Sequence, residues 1–408
     1  MATVPTHPVE FLARAVEEEA AIRRRQRLQP AGGSGDKIFP PTYPGDGLNA
    51  PPRHVFERRR IDGQDVWCVL VDSVQSQANR LEESLLRLVR QGELAIPHVV
   101  VDFRAAGLVG ISEVTSLDAP HRVYDAILRD SLYGGQPFME SDLGRELAQA
   151  RAEDASAVLC ASPTALLFGA WHSTGAGGGL GAKFARCLVS EIVAVNVPVE
   201  ERPRSGEVQT SARRTGSRID PLGVLKDVEV YRGEAGWGVT KADAGKGAKQ
   251  VRPSEINHGN IAPTVTALGV TCDYLEHVFV LSFAGLRRLH FGSQERDRAA
   301  RMLLASLGLL AVAEQDSQGY ALRSRCDLVC DGSSPMELVH PDGTVTEFHL
   351  DAKEARNAYT TAFAAAQEAG LALPTEPIRL TPQDKLVQIV RKSQQLALSG
   401  KGGEADGE

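Results

Sequence analysis

The chain of 408 residues has few aromatic side chains, no clustered cysteines and no excess of positive charge. Its six cysteines are scattered, so neither a disulfide framework nor a zinc-site spacing can be recognised. No signal-peptide pattern opens the chain, and we expect a cytoplasmic protein with reduced thiols. The formal net charge of -7 argues against a strongly basic protein that binds nucleic acid non-specifically over its whole surface.

The sequence also lacks a convincing membrane span. The longest stretch without a formally charged residue, 155–182, is long enough to cross a bilayer. It contains Pro163, His172, several hydroxyl side chains and a run of glycines, which are poorly suited to the hydrocarbon core. We therefore expect no contact with a membrane.

Positive charge is concentrated in one segment of this acidic chain. Residues 202–252 contain 11 Lys and Arg against 6 Asp and Glu. Periodicity is lost over 200–262, where Gly and Pro are frequent, which predicts an extended insertion with one hairpin around 228–239. A locally basic surface on an acidic protein is consistent with RNA bound along one face.

The rest of the chain predicts a mixture of helices and strands. Short apolar runs rich in β-branched residues indicate strands at 66–72 and 97–103, with two more near 319–324 and 326–330. Helical periodicity is found in seven segments: 9–28, 73–92, 120–131, 180–195, 296–312, 351–369 and 382–398.

The first candidate site is SVQSQANR, residues 73–80, between a predicted strand and a predicted helix. Exposed backbone amides and short polar side chains at such a position suit phosphate and ribose oxygens. Helix capping, with Asn79 and Glu82 as a capping box, is the structural alternative, but it does not account for two glutamines. The candidate RNA-binding residues here are Gln75, Ser76, Gln77, Asn79 and Arg80.

The second candidate site is SLDAPHRVYDAILRDS, residues 116–131, which places His121 beside Arg122. Such a pair suits acid/base chemistry for RNA cleavage, or stacking and phosphate binding. The structural alternative is an ion pair between Asp125 and Arg129 in one helix, with His121 satisfied locally. These alternatives stay open, and catalysis would need a partner that the sequence does not identify.

The third candidate site is FGAWHSTGAGGGLGAKFAR, residues 168–186, a glycine loop before a predicted helix. This arrangement is typical of an anion cradle, although its spacing is not that of a Walker A loop and matches the dinucleotide fingerprint only loosely. Trp171 could stack on a base or belong to the core. We favour close approach of the backbone to RNA, with candidate side chains His172, Ser173, Lys183 and Arg186.

Two segments near the ends of the insertion, 213–223 and 252–263, mix Arg with Ser, Asn, His and Gly. Their candidate RNA-binding residues are Arg218, Arg252, Asn257, His258 and Asn260. His258 has no second His or Cys at a metal-ligand spacing, and no Ser/His/Asp order is recognisable. We therefore expect no metal, no cofactor and no catalytic residue.

Eight sequence blocks together resemble the backbone subunit of the type I-G (formerly I-U) CRISPR interference complex, a member of the RAMP superfamily. The blocks are KIFPPTYPG, DSVQSQANRLE, SLDAPHRVYDAILRDS, SPTALLFGAWHSTG, KFARCLVSEIV, GSRIDPLG, RPSEINHGNIAP and GYALRSRCDLV. They span 37–329 in the expected order, and Lys37 of the first block is a further candidate RNA-binding residue.

The resemblance implies an α+β fold with an RRM-like, ferredoxin-like βαββαβ palm and large insertions. The implied organisation is an N-terminal helix and Pro/Gly-rich arm over 1–50 and a palm over 51–350. Within the palm, 200–262 would be a finger- or thumb-like insertion. The resemblance does not cover the region after about 330, where helical periodicity predicts C-terminal helices over 351–398 and the composition predicts a disordered tail over 399–408.

The function implied by the resemblance is that of a non-catalytic subunit that multimerises along CRISPR guide RNA. Guide bases stay available for pairing with target DNA, so that base pairing supplies the sequence specificity. The implied partners are further copies of the chain, a large PAM-reading subunit, a subunit for guide-end binding and processing, and a helicase-nuclease recruited later.

The main alternative is an RNA-processing endonuclease of the same superfamily. It would cut guide precursors by histidine acid/base chemistry, with His121, His172 and His258 as candidates. A nucleotide-binding enzyme that uses the loop 175–183 is a weaker alternative, because the loop spacing is unfavourable.

Overall fold

The computed structural model describes residues 8–45, 50–172, 181–201 and 208–398. Helices form in apolar segments of the chain and in strongly amphipathic ones. They are α1 Pro8–Glu18, α2 Val74–Arg90, α3 Ala126–Arg129, α4 Asp142–Gln149, α5 Ser156–Ala161, α6 Pro163–Phe168, α7 Lys241–Ala244, α8 Phe283–Leu286, α9 Gln294–Gln318, α10 Ala352–Glu368 and α11 Asp384–Leu398. Four short 3-10 turns lie at Arg104–Ala106, Arg122–Tyr124, Phe138–Glu140 and Pro253–Ile256.

Strands are distributed along the whole described chain. They are β1 Ala21–Pro30, β2 Phe56–Ile61, β3 Gln64–Asp72, β4 Val99–Asp102, β5 Glu113–Thr115, β6 Ser131–Tyr133, β7 Gln136–Pro137, β8 Ala170–Trp171, β9 Lys183–Phe184, β10 Leu188–Val195, β11 Val199–Glu201, β12 Val208–Thr210, β13 Arg214–Arg218, β14 Val230–Gly233, β15 Gly236–Gly238, β16 Lys249–Val251, β17 Ile261–Thr266, β18 Tyr274–Ser282, β19 Tyr320–Arg323, β20 Cys326–Cys330, β21 Met336–Val339, β22 Val345–Phe348 and β23 Ile378–Pro382.

A nine-stranded antiparallel sheet forms the centre of the fold. Its main path has the order β19-β20-β1-β18-β10-β3-β2, and β21 and β22 extend it beside β1. A second sheet of five strands has the order β5-β4-β23-β6-β7, in which only β4 and β23 are parallel. The segment 200–262 contributes strands to three small sheets. The fold is α+β, as the sequence predicts.

The core lies between the large sheet and a layer of helices. Residues 300–315 of α9 are all buried, because α1, α2, α6 and α10 pack around this helix. Alternate residues of β1 and β18, including Ile22, Phe279 and Leu281, contact the same core. This alternation is the period-two pattern of a sheet with one face buried.

A group of hydrogen-bonded polar side chains is buried between two apolar clusters of the core. His277 is fully buried, and its ring nitrogens lie 2.7 Å from the hydroxyl of Ser190 and 2.9 Å from that of Tyr320. Tyr320 also donates to Asp316, which forms a two-point ion pair with Arg24. Burial lowers the pKa of His277 to about 4.

Two predicted helices are wrong in part or in whole. The charged helix predicted for 9–28 ends at Glu18, and the arginine-rich run after it is β1. The helix predicted for 180–195 is the β9 and β10 region instead. Pairing with β18 decides the structure of both β1 and β10, because one residue in two then reaches the core.

Two smaller predictions also need correction. The helix predicted for 120–131 is a 3-10 turn followed by α3, because Arg122 adopts a φ of 54°, outside the helical region. Asp125 caps α3 by accepting a hydrogen bond from the backbone of Ile127. The N-cap of α2 is Ser73 rather than Asn79, whose hypothetical capping partner Glu82 lies inside the helix.

Other predictions from the sequence are confirmed. The strands near 66–72, 97–103, 319–324 and 326–330 are present, as are α2, α9, α10 and α11 and the hairpin of β14 and β15. The tail 399–408 lies outside the described residues, and the division of the chain into domains stays a prediction, although β1 belongs to the central sheet.

The depressed pKa of His277 predicts a loss of stability in acid. An unfolded histidine takes up a proton as the pH falls through 6.5, whereas folded His277 resists protonation until about pH 4. The stability that depends on neutral His277 is fully present above pH 6.5 and is lost progressively as the pH falls towards 4. The loss in free energy of unfolding reaches about 2 kcal/mol by about pH 5.

Urea unfolding at about pH 7.5 and about pH 5 measures this contribution. The pH-dependent loss in free energy of unfolding should be smaller in His277→Gln than in the wild type. His349→Gln, a change at an exposed histidine, is the matched control and should retain the wild-type pH dependence. Equal losses in wild type and His277→Gln contradict the prediction.

Candidate nucleic-acid interface

Three segments that are distant in sequence meet in one open groove with a volume of about 540 Å³. They are the first turns of α2, the turn 120–122, and the β8–β9 pair with its flanking residues. No acidic residue lines this groove among the described residues. Its main polar or amphipathic side chains are Gln75, Asn79, His121, Arg122, Trp171, Lys183 and Arg186.

The start of α2 is fixed by the buried carboxylate of Asp72. Its oxygens accept hydrogen bonds from Ser76 (2.8 Å), Gln77 (2.7 Å), Arg80 (3.0 Å) and Arg323 (3.1 Å). The backbone amide of Ser76 additionally donates to the side chain of the N-cap residue, Ser73. The first two turns of the helix are therefore tied to the end of β3.

This arrangement divides the five candidates of the first motif. Gln75 and Asn79 are exposed, one helical turn apart, and both line the groove. Ser76 and Arg80 are half-buried and bound to Asp72, while Gln77 is fully buried. We leave Gln77 out of the proposed surface, because its amide is used inside the core.

Arg122, a candidate for RNA binding, forms a buried ion pair instead. Its guanidinium donates two hydrogen bonds of 2.8 Å to the carboxylate of Glu82 and one of 3.0 Å to the carbonyl of Gly169. Burial raises the pKa of Glu82 to about 7, and the charge and hydrogen bonds of Arg122 act in the opposite direction. Arg122 thus joins α2, the 121–124 turn and the start of β8.

Trp171 is exposed and lies beside the cations of the groove. Its side chain is 55% exposed, so the alternative that it belongs to the core is wrong. The ammonium of Lys183, its strand partner, lies 5.6 Å from the indole ring centre. Lys183 and Arg186 are exposed and have no ion-pair partner among the described residues. An accessible ring next to two cations suits a stacked base with its phosphate.

Gly169 allows the walls of the groove to approach one another. Its φ of 82° is unfavourable for other residues, and a Cβ at this position would lie only 3.0–3.3 Å from atoms of Arg186 and Phe184. Any larger residue here would have a strained backbone and would press against Arg186 and Phe184.

The candidate histidines lie in different surroundings. His121 is exposed in the groove, and His172 is buried, stacked on Tyr124 with ring centres 5.2 Å apart. Burial lowers the pKa of His172. His258 belongs to the insertion and contacts Trp237. No hydrogen bond joins any two of these three histidines within the described part of the chain.

The remaining candidates among the described residues do not line the groove. Asp220 organises one end of the insertion: its amide donates to Asn260 (2.7 Å) and its carboxylate pairs with Arg218 (3.5 Å). Arg252 and Asn257 flank the 3-10 turn of the same segment. Lys37 lines a separate cleft, described below, and Ser173 lies outside the described residues.

The sequence analysis missed the organising residues Asp72 and Glu82. Asp72 stands at the carboxyl end of a strand before a polar helix start, a position that could have indicated its role. Glu82 gave no comparable signal, since its partner Arg122 is 40 residues away.

The described residues contain neither a cluster of potential metal ligands nor a membrane-spanning helix. No group of three or more His, Cys, Asp or Glu side chains is arranged there to hold a metal ion. No helix in these ranges is both long and apolar enough to cross a bilayer.

Comparison with known protein families finds a match over part of the chain. Residues 22–199 match the family model described as CRISPR-associated protein GSU0053 (Cas_GSU0053). This range covers less than half of the chain, yet it contains every residue that lines the groove. The amino-terminal part of the chain is therefore similar to a CRISPR-associated family.

Other comparisons add little. The chain is similar to the crystal structure of Thermofilum pendens Csc2, with 10% sequence identity, a TM-score of 0.26 and coverage of 95% of this chain and 80% of that one. A likeness at this TM-score carries no argument. No curated protein matches the chain.

The buried pair of Arg122 and Glu82 predicts a large cost when one partner is removed. Arg122→Ala leaves a buried carboxylate without its cation, and we expect the free energy of unfolding to fall by roughly 3–5 kcal/mol. Replacing both residues by methionine, in Glu82→Met/Arg122→Met, should cost less, because no charge is then left unpaired.

Urea unfolding of the two variants and the wild type measures this difference. Comparison of the single with the double variant separates the cost of the unpaired charge from the cost of the lost side-chain volume. A double variant that is at least as unstable as Arg122→Ala would show that the pair does not act as a unit.

Proposed function

We propose that this protein is a non-catalytic guide-RNA-binding subunit that multimerises along CRISPR RNA. It would form the backbone of a type I interference complex, of subtype I-G, and present the guide for pairing with target DNA. The similarity of 22–199 to a CRISPR-associated family supports the biological setting. The resemblance of the eight sequence blocks supports the subtype.

The observation that carries the proposal is the convergence of three predicted motifs in one groove without acidic side chains. Gln75 and Asn79 offer uncharged hydrogen-bonding groups for ribose and phosphate, Lys183 and Arg186 offer charge, and Trp171 offers a stacking surface. Such contacts bind the backbone and shape of a single strand without selecting a base sequence. This is what a subunit that accepts any guide requires.

The strand order supports an RRM-like palm. In chain order, β1, α2, β10, β18, α9 and β20 follow the pattern βαββαβ, and their order in the sheet is β20-β1-β18-β10. All three pairs are antiparallel, and the hairpin β2–β3 extends the sheet beyond β10. We take 200–262 as the finger- or thumb-like insertion of this palm.

The proposed partners follow from this role. They are CRISPR guide RNA, target DNA through guide pairing, further copies of the chain, the large PAM-reading subunit, the guide-end-binding and processing subunit, and the helicase-nuclease. The formal net charge of -7 is compatible with RNA binding, since each copy would contribute only a few phosphate contacts.

The alternative of a guide-processing endonuclease gains no support from the geometry. General acid/base cleavage needs two groups within reach of one ribose. Of the three candidate histidines, only His121 lines the groove, while His172 is stacked in the interior.

Purification from cells tests the proposal directly. The chain is expressed with its own repeat-spacer array and partner subunits, isolated by size exclusion, and any bound nucleic acid is sequenced. Protected guide RNA in a large particle is the expected result. Elution free of RNA, or cleavage of the precursor by the isolated chain, contradicts the proposal.

The groove cations give a quantitative prediction. Lys183→Ala/Arg186→Ala should weaken binding of single-stranded RNA by about 10-fold to 100-fold through the loss of two phosphate contacts. The slope of log Kd against log salt should become shallower by about 1.4, at about 0.7 per phosphate on a single strand.

Fluorescence anisotropy at several salt concentrations measures both quantities. Arg298→Ala/Lys353→Ala is the matched control, since it removes two exposed cations from the outer surfaces of α9 and α10. The control should bind like the wild type. If both double variants lose affinity equally, the groove has no special role.

A further inference from the structure

A second basic cleft lies outside the groove, with a volume of about 690 Å³. It is formed by the arm at 37–42, the start of β13 and the turn between β19 and β20. Five cationic residues line it, and no acidic residue does among the described residues: Lys37, Arg213, Arg214, Arg323 and Arg325.

Two of these cations form ion pairs with described residues. Arg323 donates to Asp72 (3.1 Å), and Arg213 pairs with Glu200 (2.6 Å). Arg214 and Arg325 are exposed and form no ion pair with any described residue. Converging cations without counter-charges repel one another, so the cleft favours a polyanion.

An aromatic ring lies among the unpaired charges. The ring centre of Phe39 is 5.0 Å from the guanidinium carbon of Arg325 and 5.5 Å from the ammonium of Lys37. Phe39 is half-buried. Cations around one aromatic ring are the combination that binds the phosphates and a base of single-stranded nucleic acid.

The cleft is held in place before any ligand arrives. Ile38 exchanges two backbone hydrogen bonds with Val270, and the amide of Phe39 donates to the carbonyl of Arg325 (3.0 Å). The ammonium of Lys37 donates to the carbonyl of Arg213 (2.7 Å). Gly269 has a φ of 83°, and a Cβ there would lie only 3.1–3.2 Å from Lys37 and Phe39, so glycine permits this approach.

The cleft and the groove are connected through Asp72, at the start of α2. Asp72 bonds both Ser76, next to the groove residue Gln75, and Arg323, which lines the cleft. One short network therefore connects the two surfaces.

We propose that this cleft is a second RNA-binding site, in which Arg214, Arg325 and Lys37 bind phosphates of the strand held in the groove and Phe39 contacts a base. The inference rests on the proposed function and extends it to a surface formed by the arm and the insertion. The insertion base then contacts the same strand as the palm.

The test uses the full chain and a single-stranded RNA of about 20 nucleotides, longer than one binding module covers. The variant Arg214→Ala/Arg325→Asn removes both unpaired guanidiniums. Asparagine replaces Arg325 because this residue has a φ of 57°, which asparagine tolerates. Anisotropy at several salt concentrations should show binding weakened by about 10-fold to 100-fold and a slope shallower by about 1.4.

A second measurement locates the contact. RNA carrying 4-thiouridine is photocrosslinked to the protein, and the crosslinked peptides are mapped by mass spectrometry. A crosslink within 37–42 should persist in Lys183→Ala/Arg186→Ala and be lost in Arg214→Ala/Arg325→Asn. Arg298→Ala/Lys353→Ala again serves as the control with the same change in charge.

The outcomes separate the two proposals. If Arg214→Ala/Arg325→Asn binds RNA with the affinity, salt slope and crosslinks of the wild type, the proposal for the cleft is overturned. The proposal for the groove is then unaffected. A wild type that binds no RNA overturns both. Loss of affinity in Arg214→Ala/Arg325→Asn with the crosslink within 37–42 retained also overturns the cleft, since the effect is then indirect.

Discussion

The buried carboxylate of Asp72 constrains both proposed RNA-binding surfaces. An ionised carboxylate in the interior is stable only when paired and hydrogen-bonded, and Asp72 has four side-chain donors from α2 and β19. The demand for these donors fixes the angle at which α2 leaves β3. It also decides which polar residues of the helix remain available, since Gln75 and Asn79 are the ones that Asp72 does not engage.

A second buried charge extends this constraint across the groove. Glu82 lies on the same helix as three of the four donors of Asp72, and its pairing with Arg122 brings the 121–124 turn and Gly169 against α2. The exposed Trp171 and Lys183 then lie on a wall whose position is set by an interior ion pair. Buried ion pairs add little net stability compared with apolar packing, but they specify geometry well, and that is what a preformed groove requires.

The sequence predicted those elements whose signals are local. The strand before Asp72 and α2 after it have apolar periodicity and polar boundaries, so both were identified. β1 and β10 were misassigned because the charged run 9–28 and the spacing of Lys183, Arg186 and Ser190 fit helices until β18 pairs beside both strands. The same limit applies to the site: the groove was assembled from motifs recognised in the sequence, but the burial of Gln77 and Arg122 depends on partners distant in the chain.

The charge distribution fits a protein that works in many copies. If two small basic surfaces are set in a chain of net charge -7, one copy makes few phosphate contacts, so its own affinity for RNA is low and depends only weakly on salt. Neighbouring copies on one strand raise one another's effective concentration, so that affinity grows with the length of RNA occupied. A strongly basic subunit would bind any nucleic acid alone, whereas a weakly binding one is retained only on a strand that many copies can share.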